Sequence, residues 1–218
     1  MTYTKSMRLA NVVFLAALLS ACVGFGDKRG ANESRNADGS ETGAEYSSED
    51  PRARARAESD YIMALGLIRN GKIKHAKKIL NSLVEKHPTY SGPYANLGIL
   101  HQKAGELKEA EQAFLKAIEL KPENAVVYNR LGMLYREMGK FKKAATSYGK
   151  ALSVDADYAE AYMNMGILYD MYLHDPDKAL AFYADYQRLV DGRDEQVAVW
   201  IADLERRGHH LTQADANK

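Results

Sequence analysis

Cysteine is almost absent: Cys22 stands alone in 218 residues, so the chain can form neither an intrachain disulfide nor a metal site with several cysteine ligands. A dominant charge is lacking too, since 30 basic residues face 29 acidic ones and nothing in that balance points to nucleic acid. Proline is scarce, with five residues, while Ala, Leu, Lys and Glu dominate the second half. Unbranched side chains lose little rotamer freedom on a helix, so the expected class is all-α. Catalytic patterns are missing as well. No serine has a histidine and an acid in a recognisable arrangement. None of the six histidines has a second ligand at metal-binding spacing on a helix face. No enzyme activity, cofactor, metal or small-molecule substrate is therefore expected.

The apolar run Val12–Leu19 is too short to cross a bilayer, which takes about 20 residues as a helix. With Lys5 and Arg8 ahead of it, it has the form of a signal-peptide core. It ends in Leu19-Ser20-Ala21-Cys22, which resembles the lipobox of bacterial lipoproteins. That resemblance implies a signal peptide over 1–21, cleavage before Cys22 and acylation of that cysteine. Each buried CH₂ of the attached chains, palmitate among them, adds about 0.8 kcal/mol of anchoring. Val23, not aspartate, follows the cysteine, as in lipoproteins sorted to the outer membrane. The expected location is thus the periplasmic face of that membrane. Residues 22–56 hold few apolar side chains beyond Phe25 and Tyr46 and are expected as a disordered linker.

From Ala57 the sequence repeats every 34 residues, the period of a two-helix unit. Aligning Gly98, Gly132 and Gly166 gives repeats at 57–90, 91–124, 125–158 and 159–193, the last with one extra residue. Equivalent positions hold Tyr94, Tyr128 and Tyr162; Gly71, Gly105 and Gly139; Ala76, Ala110, Ala144 and Ala179; and Leu80, Phe114, Tyr148 and Tyr183. In the third repeat, Tyr128, Leu131, Leu134, Tyr135 and Met138 form one helical stripe. Gly132 interrupts that helix at a cost of about 1 kcal/mol relative to alanine. The expected compensation is close approach of Ala144 and Ala151 from the second helix. His101 stands where the next repeats have tyrosine and is expected to pack in the core. The first repeat, with Asp60 and Ala64 at deviant positions, is expected to cap the N-terminal end. Val197, Trp200, Ile201 and Leu204 lie at i, i+3, i+4, i+7, so 194–208 is expected as a capping helix and 209–218 as a flexible tail.

This pattern resembles the tetratricopeptide (TPR) family. The resemblance implies a solenoid of four helix-turn-helix repeats whose first helices line a concave groove. Carried over position by position, the groove comprises Tyr61, Leu65, Ile99, Gln102, Lys103, Asn129, Met133, Arg136, Met163, Ile167 and Asp170, with Arg130 beside them. Leu65, Ile99, Met133 and Ile167 recur at one place as an apolar ladder, which either binds a partner or packs neighbouring helices. Tyr61 and Leu65 stand where a two-carboxylate clamp needs lysine and asparagine, so recognition of acidic chaperone tails is not expected. The expected partner is an amphipathic helix or extended apolar segment of another envelope protein. At the level of architecture the chain is similar to TPR lipoproteins that pilot type IV pilus secretins and to those that dock peptidoglycan hydrolases. An accessory binding subunit of an envelope transport or energy-transducing system is the alternative.

Overall fold

A computed structural model describes residues 50–216, with side chains as far as Arg207. The expected signal peptide, Cys22 and most of the expected linker lie outside the described residues. The chain divides into units Met1–Arg54 and Ala55–Lys218, and Asp50–Arg54 is the described part of the first.

Among the described residues there are nine helices and no strand. They are α1 (Pro51–Arg69), α2 (Ile73–Lys86), α3 (Ser91–Lys103), α4 (Leu107–Leu120), α5 (Ala125–Glu137), α6 (Phe141–Val154), α7 (Ala159–Leu168), α8 (Pro176–Leu189) and α9 (Glu195–Ala216). Helix α1 starts six residues before the expected beginning of the first repeat. Asp50 accepts a bond from the Arg52 N–H at 3.0 Å, and Pro51 follows at the first helical position. A cap and a proline there start a helix even where few apolar side chains follow, so low hydrophobicity alone misplaced the linker's end.

Consecutive helices pair at the expected turns. Gly71, Gly105 and Gly139 adopt φ of +71°, +77° and +70°, a left-handed conformation that costs glycine little. In each turn the next N–H reaches back to close the first helix: Lys72 to Leu67 O at 2.8 Å, Glu106 to His101 O at 3.0 Å and Lys140 to Tyr135 O at 2.8 Å. The fourth pair takes up its extra residue as a π-helical turn, Tyr169–Leu173, followed by His174 at φ 53°. Asp175 then caps α8 by accepting from the Lys178 N–H at 3.1 Å, with Pro176 in the first turn.

The core repeats with the helices. Phe114, Tyr148 and Tyr183, each from the second helix of a pair, are fully buried. Their rings lie directly on Gly98, Gly132 and Gly166. The close approach expected at Gly132 is therefore made by the Tyr148 ring and not by alanines: Ala144 belongs to the central cluster, and Ala151 packs with Ala125 and Ala161 towards the next repeat. Three main clusters follow one another along the array, each spanning neighbouring pairs, as a solenoid requires. His101 also departs from expectation. Its Nδ1 lies 2.5 Å from Glu106 Oε2, so it is held by an acid in the turn rather than by apolar packing. On α1, Asp60 is exposed as expected of a cap, but Ile62 and Met63 are exposed beside it.

Helix α9 covers the last pair. Val197 and Leu204 are buried with Tyr183 and Tyr186, and Trp200 lies 5.6 Å from the Tyr183 ring. Asp194 caps the helix, accepting from the Val197 N–H at 3.1 Å and from the Tyr186 hydroxyl at 2.8 Å. The helix runs on to Ala216, through most of the expected tail. No proline stops the segment after Arg207, and Leu, Gln and Ala within it favour helix.

Candidate functional site

The first helices α3, α5 and α7 touch one another as well as their own partners, which places them on the inner side of the array. Along that side runs a row of side-chain bonds between successive first helices. Asn96 Nδ2 on α3 donates to Tyr61 Oη on α1 at 2.7 Å. Gln102 Nε2 on α3 donates to Glu137 Oε2 on α5 at 2.8 Å. Asn164 Nδ2 on α7 donates to Asn129 Oδ1 on α5 at 3.0 Å, while Arg136 Nη1 donates to Asn164 Oδ1 at 3.3 Å. Asn129 Nδ2 in turn donates to Tyr158 Oη at 3.4 Å. Burial and the nearby Glu160 carboxylate push the Tyr158 phenol above its ordinary range, so it remains a neutral hydroxyl in this network.

The row continues onto the cap. Arg207 Nη2 on α9 donates to Asp170 Oδ1 at 3.3 Å, in the π-helical turn. Helix α9 thus acts as a fifth first helix, a role the sequence reading missed. The signal was present: Val197 and Leu204 follow Tyr162 and Tyr169 by 35 residues, the spacing of the enlarged fourth repeat.

The twelve expected groove residues separate into four groups. Leu65, Ile99, Met133, Met163 and Ile167 are half-buried, resting on the core with one side and open on the other. The packing role considered for the ladder is filled on one side, and the other side stays open. Tyr61, Gln102 and Arg136 belong to the row of bonds yet keep partial exposure, and Arg130 is partly exposed nearby. Lys103 is exposed at the end of α3. Asn129 and Asp170 differ from expectation. Asn129 is buried with its amide committed to neighbours, and the Asp170 side chain is only 5% exposed beneath Arg207. These two fix the spacing of the first helices; neither presents a surface.

The arrangement presents a partly apolar strip on an inner wall in which each first helix is bonded to the next. Among the described residues no group of three or more His, Cys, Asp or Glu side chains converges as a metal site would. Also among them, no helix is long and apolar enough to cross a membrane.

Antiparallel helix pairs, glycine turns and a repeating aromatic-on-glycine contact define a tetratricopeptide solenoid, a fold that presents extended concave binding surfaces. Sequence models of the family agree: those described as tetratricopeptide repeat match residues 93–124 and 113–145, and one described as TPR repeat matches 132–171. No curated protein matches the chain. Among solved structures the chain is similar to Pseudomonas aeruginosa pilF, with TM-score 0.65 and 24% identity over 75% of this chain and 74% of that one. MamA from Desulfovibrio magneticus RS-1 gives 0.62 and 19% identity over 73% and 90%. An O-GlcNAc transferase from Thermobaculum terrenum gives 0.60 and 23% identity over 64% of this chain but 27% of that one. Likeness to that enzyme is confined to a part of it, and the fold held in common is one of interaction scaffolds.

Proposed function

We propose that the chain is a non-catalytic adaptor that holds a helix or extended segment of another protein in its inner groove. The observation that carries this reading is the half-buried ladder Leu65, Ile99, Met133 and Ile167 on an inner wall cross-linked by polar bonds. Partly exposed apolar side chains at one register of successive repeats offer a continuous strip, and Met133 and Met163 add deformable surface. The lipobox-like Leu19-Ser20-Ala21-Cys22 supports an acyl anchor in the outer membrane, and hence a partner in the periplasm. Assembly of an envelope machine such as a pilus or secretion apparatus is the process we assign to it.

Two experiments test the two halves. A photo-crosslinking residue placed at Met133 should trap a discrete envelope protein in living cells, while one at Leu115, exposed on the second helix α4, should not. Adducts from Leu115 alone would move recognition to the outer face. Cys22→Ser should leave the protein unprocessed and absent from outer-membrane fractions; normal acylation and fractionation of that variant would remove the anchor from the account.

A further inference from the structure

The turns between the two helices of each pair form one edge of the array. Salt bridges show that neighbouring turns adjoin: Lys77 on α2 reaches Glu106 in the second turn at 3.2 Å, and Lys140 in the third turn reaches Glu111 on α4 at 3.1 Å. These bridges use up two of the edge's acids. Glu106 is also held by His101, and Glu111 also faces Lys143 at 3.9 Å. What remains exposed over the first three pairs is Arg69, Lys72, Lys74, Lys78, Lys103, Lys108 and Lys142, against Glu109 and Glu137. The opposite edge, where pairs are joined, carries both signs, with Lys86, Lys121, Glu123, Asp155 and Asp157.

The stability of the fold does not explain these cations. Lys74 and Lys142 sit in the first turns of α2 and α6, where the helix dipole favours acids, and neither first turn holds one. Ile73, between Lys72 and Lys74, is 36% exposed, an apolar side chain on the same edge.

We infer that this edge is a docking surface for the anionic headgroups of a lipid bilayer. Six of the seven cations are lysines, the residue that protein interfaces deplete, and they are spread along a row. Such a row gains from a planar charged surface without needing fixed partner geometry. With the edge on the membrane the helices stand upright and the groove opens sideways. This inference depends neither on the groove's partner nor on Cys22.

The test is co-sedimentation of the full chain with phosphatidylcholine vesicles, with and without about one third phosphatidylglycerol. Pure phosphatidylcholine controls for any uptake by the apolar run at Val12–Leu19. Binding should be stronger on the anionic vesicles and should fall steeply between about 0.05 and 0.3 M salt. The variant Lys72→Gln, Lys74→Gln, Lys78→Gln, Lys142→Gln should lose the anionic preference by roughly a thousandfold, at unchanged circular dichroism. Equal binding to both vesicles, salt-insensitive binding, or an unaffected variant would overturn the inference. Preference for soluble polyglutamate over anionic vesicles would overturn it too, in favour of an acidic protein.

Discussion

Replacing Gly132 by alanine should destabilise the array even though alanine is the better helix former. A Cβ at that position would lie 2.5 Å from Cδ1 and Cε1 of Tyr148 and 3.0 Å from Cζ. Carbon atoms pack at about 3.5–4.0 Å, so the ring must retreat by roughly 1 Å. It has nowhere to go, since Tyr148 is fully buried within the central cluster. Overpacking of this kind costs about 1–3 kcal/mol, and the wall behind the ring puts this case at the upper end. Alanine's helix preference returns about 1 kcal/mol, leaving a net loss near 2 kcal/mol. Gly149, on α6, is the comparison: nothing lies within 4 Å of its would-be Cβ, so Gly149→Ala should stabilise by about 0.5–1 kcal/mol. Thermal unfolding followed by helical circular dichroism would place the two variants about 6–10 °C apart, on opposite sides of wild type. Adding Tyr148→Leu to Gly132→Ala should recover part of the loss, a coupling that independent sites do not show. If Gly132→Ala unfolds at or above the wild-type temperature, the aromatic-on-glycine contact is not what spaces the helices.

Three further outcomes follow from the same packing. The Tyr148 hydroxyl is buried without a hydrogen-bond partner, so Tyr148→Phe should leave stability equal or raise it by up to about 1 kcal/mol in urea unfolding. Burial raises that phenol to about 12; its contribution is complete below pH of about 10 and lost as pH rises through about 12, so the Phe variant should show a shallower alkaline decline. Arg207→Ala leaves the buried Asp170 carboxylate without its charged partner and should cost about 1–3 kcal/mol, more than the isosteric Asp170→Asn; equal losses would mean the pair is not a latch between the π-helical turn and α9. Deleting 194–218 uncovers Tyr183 and Tyr186 and removes the buried Val197 and Leu204, worth about 1.5–3 kcal/mol each, so unfolding should occur at clearly lower temperature.

The spacing of Gly71, Gly105 and Gly139 and the aromatic-alanine stripes placed the helix pairs and their turns correctly, because the period is a property of one unit. What touches what across units was harder to read. Asn129 and Asp170 fall at inward-facing positions by register, yet neighbours bury them, and register names a side of the helix without naming what covers it. Gly132 predicted a close approach but not the Tyr148 ring, since Ala144 and Ala151 lie on the same helix and are as small as the gap required. The start of α1 was missed because a single Asp-Pro boundary outweighs the polarity of the residues after it. The ladder was legible as a repeating position, while its half-buried state depended on the stacking of whole repeats.

The most direct measurement repeats the Met133 crosslink in a chain carrying Ile99→Glu and Ile167→Glu. An apolar partner seated on the ladder would then bury carboxylates that have no counter-charge, at roughly 3 kcal/mol or more, a hundredfold in binding. The adduct should disappear while helical circular dichroism stays at the wild-type level. An adduct of undiminished yield on the folded variant would show that the partner does not lie in the groove, and an unfolded variant would show that the ladder serves the core alone.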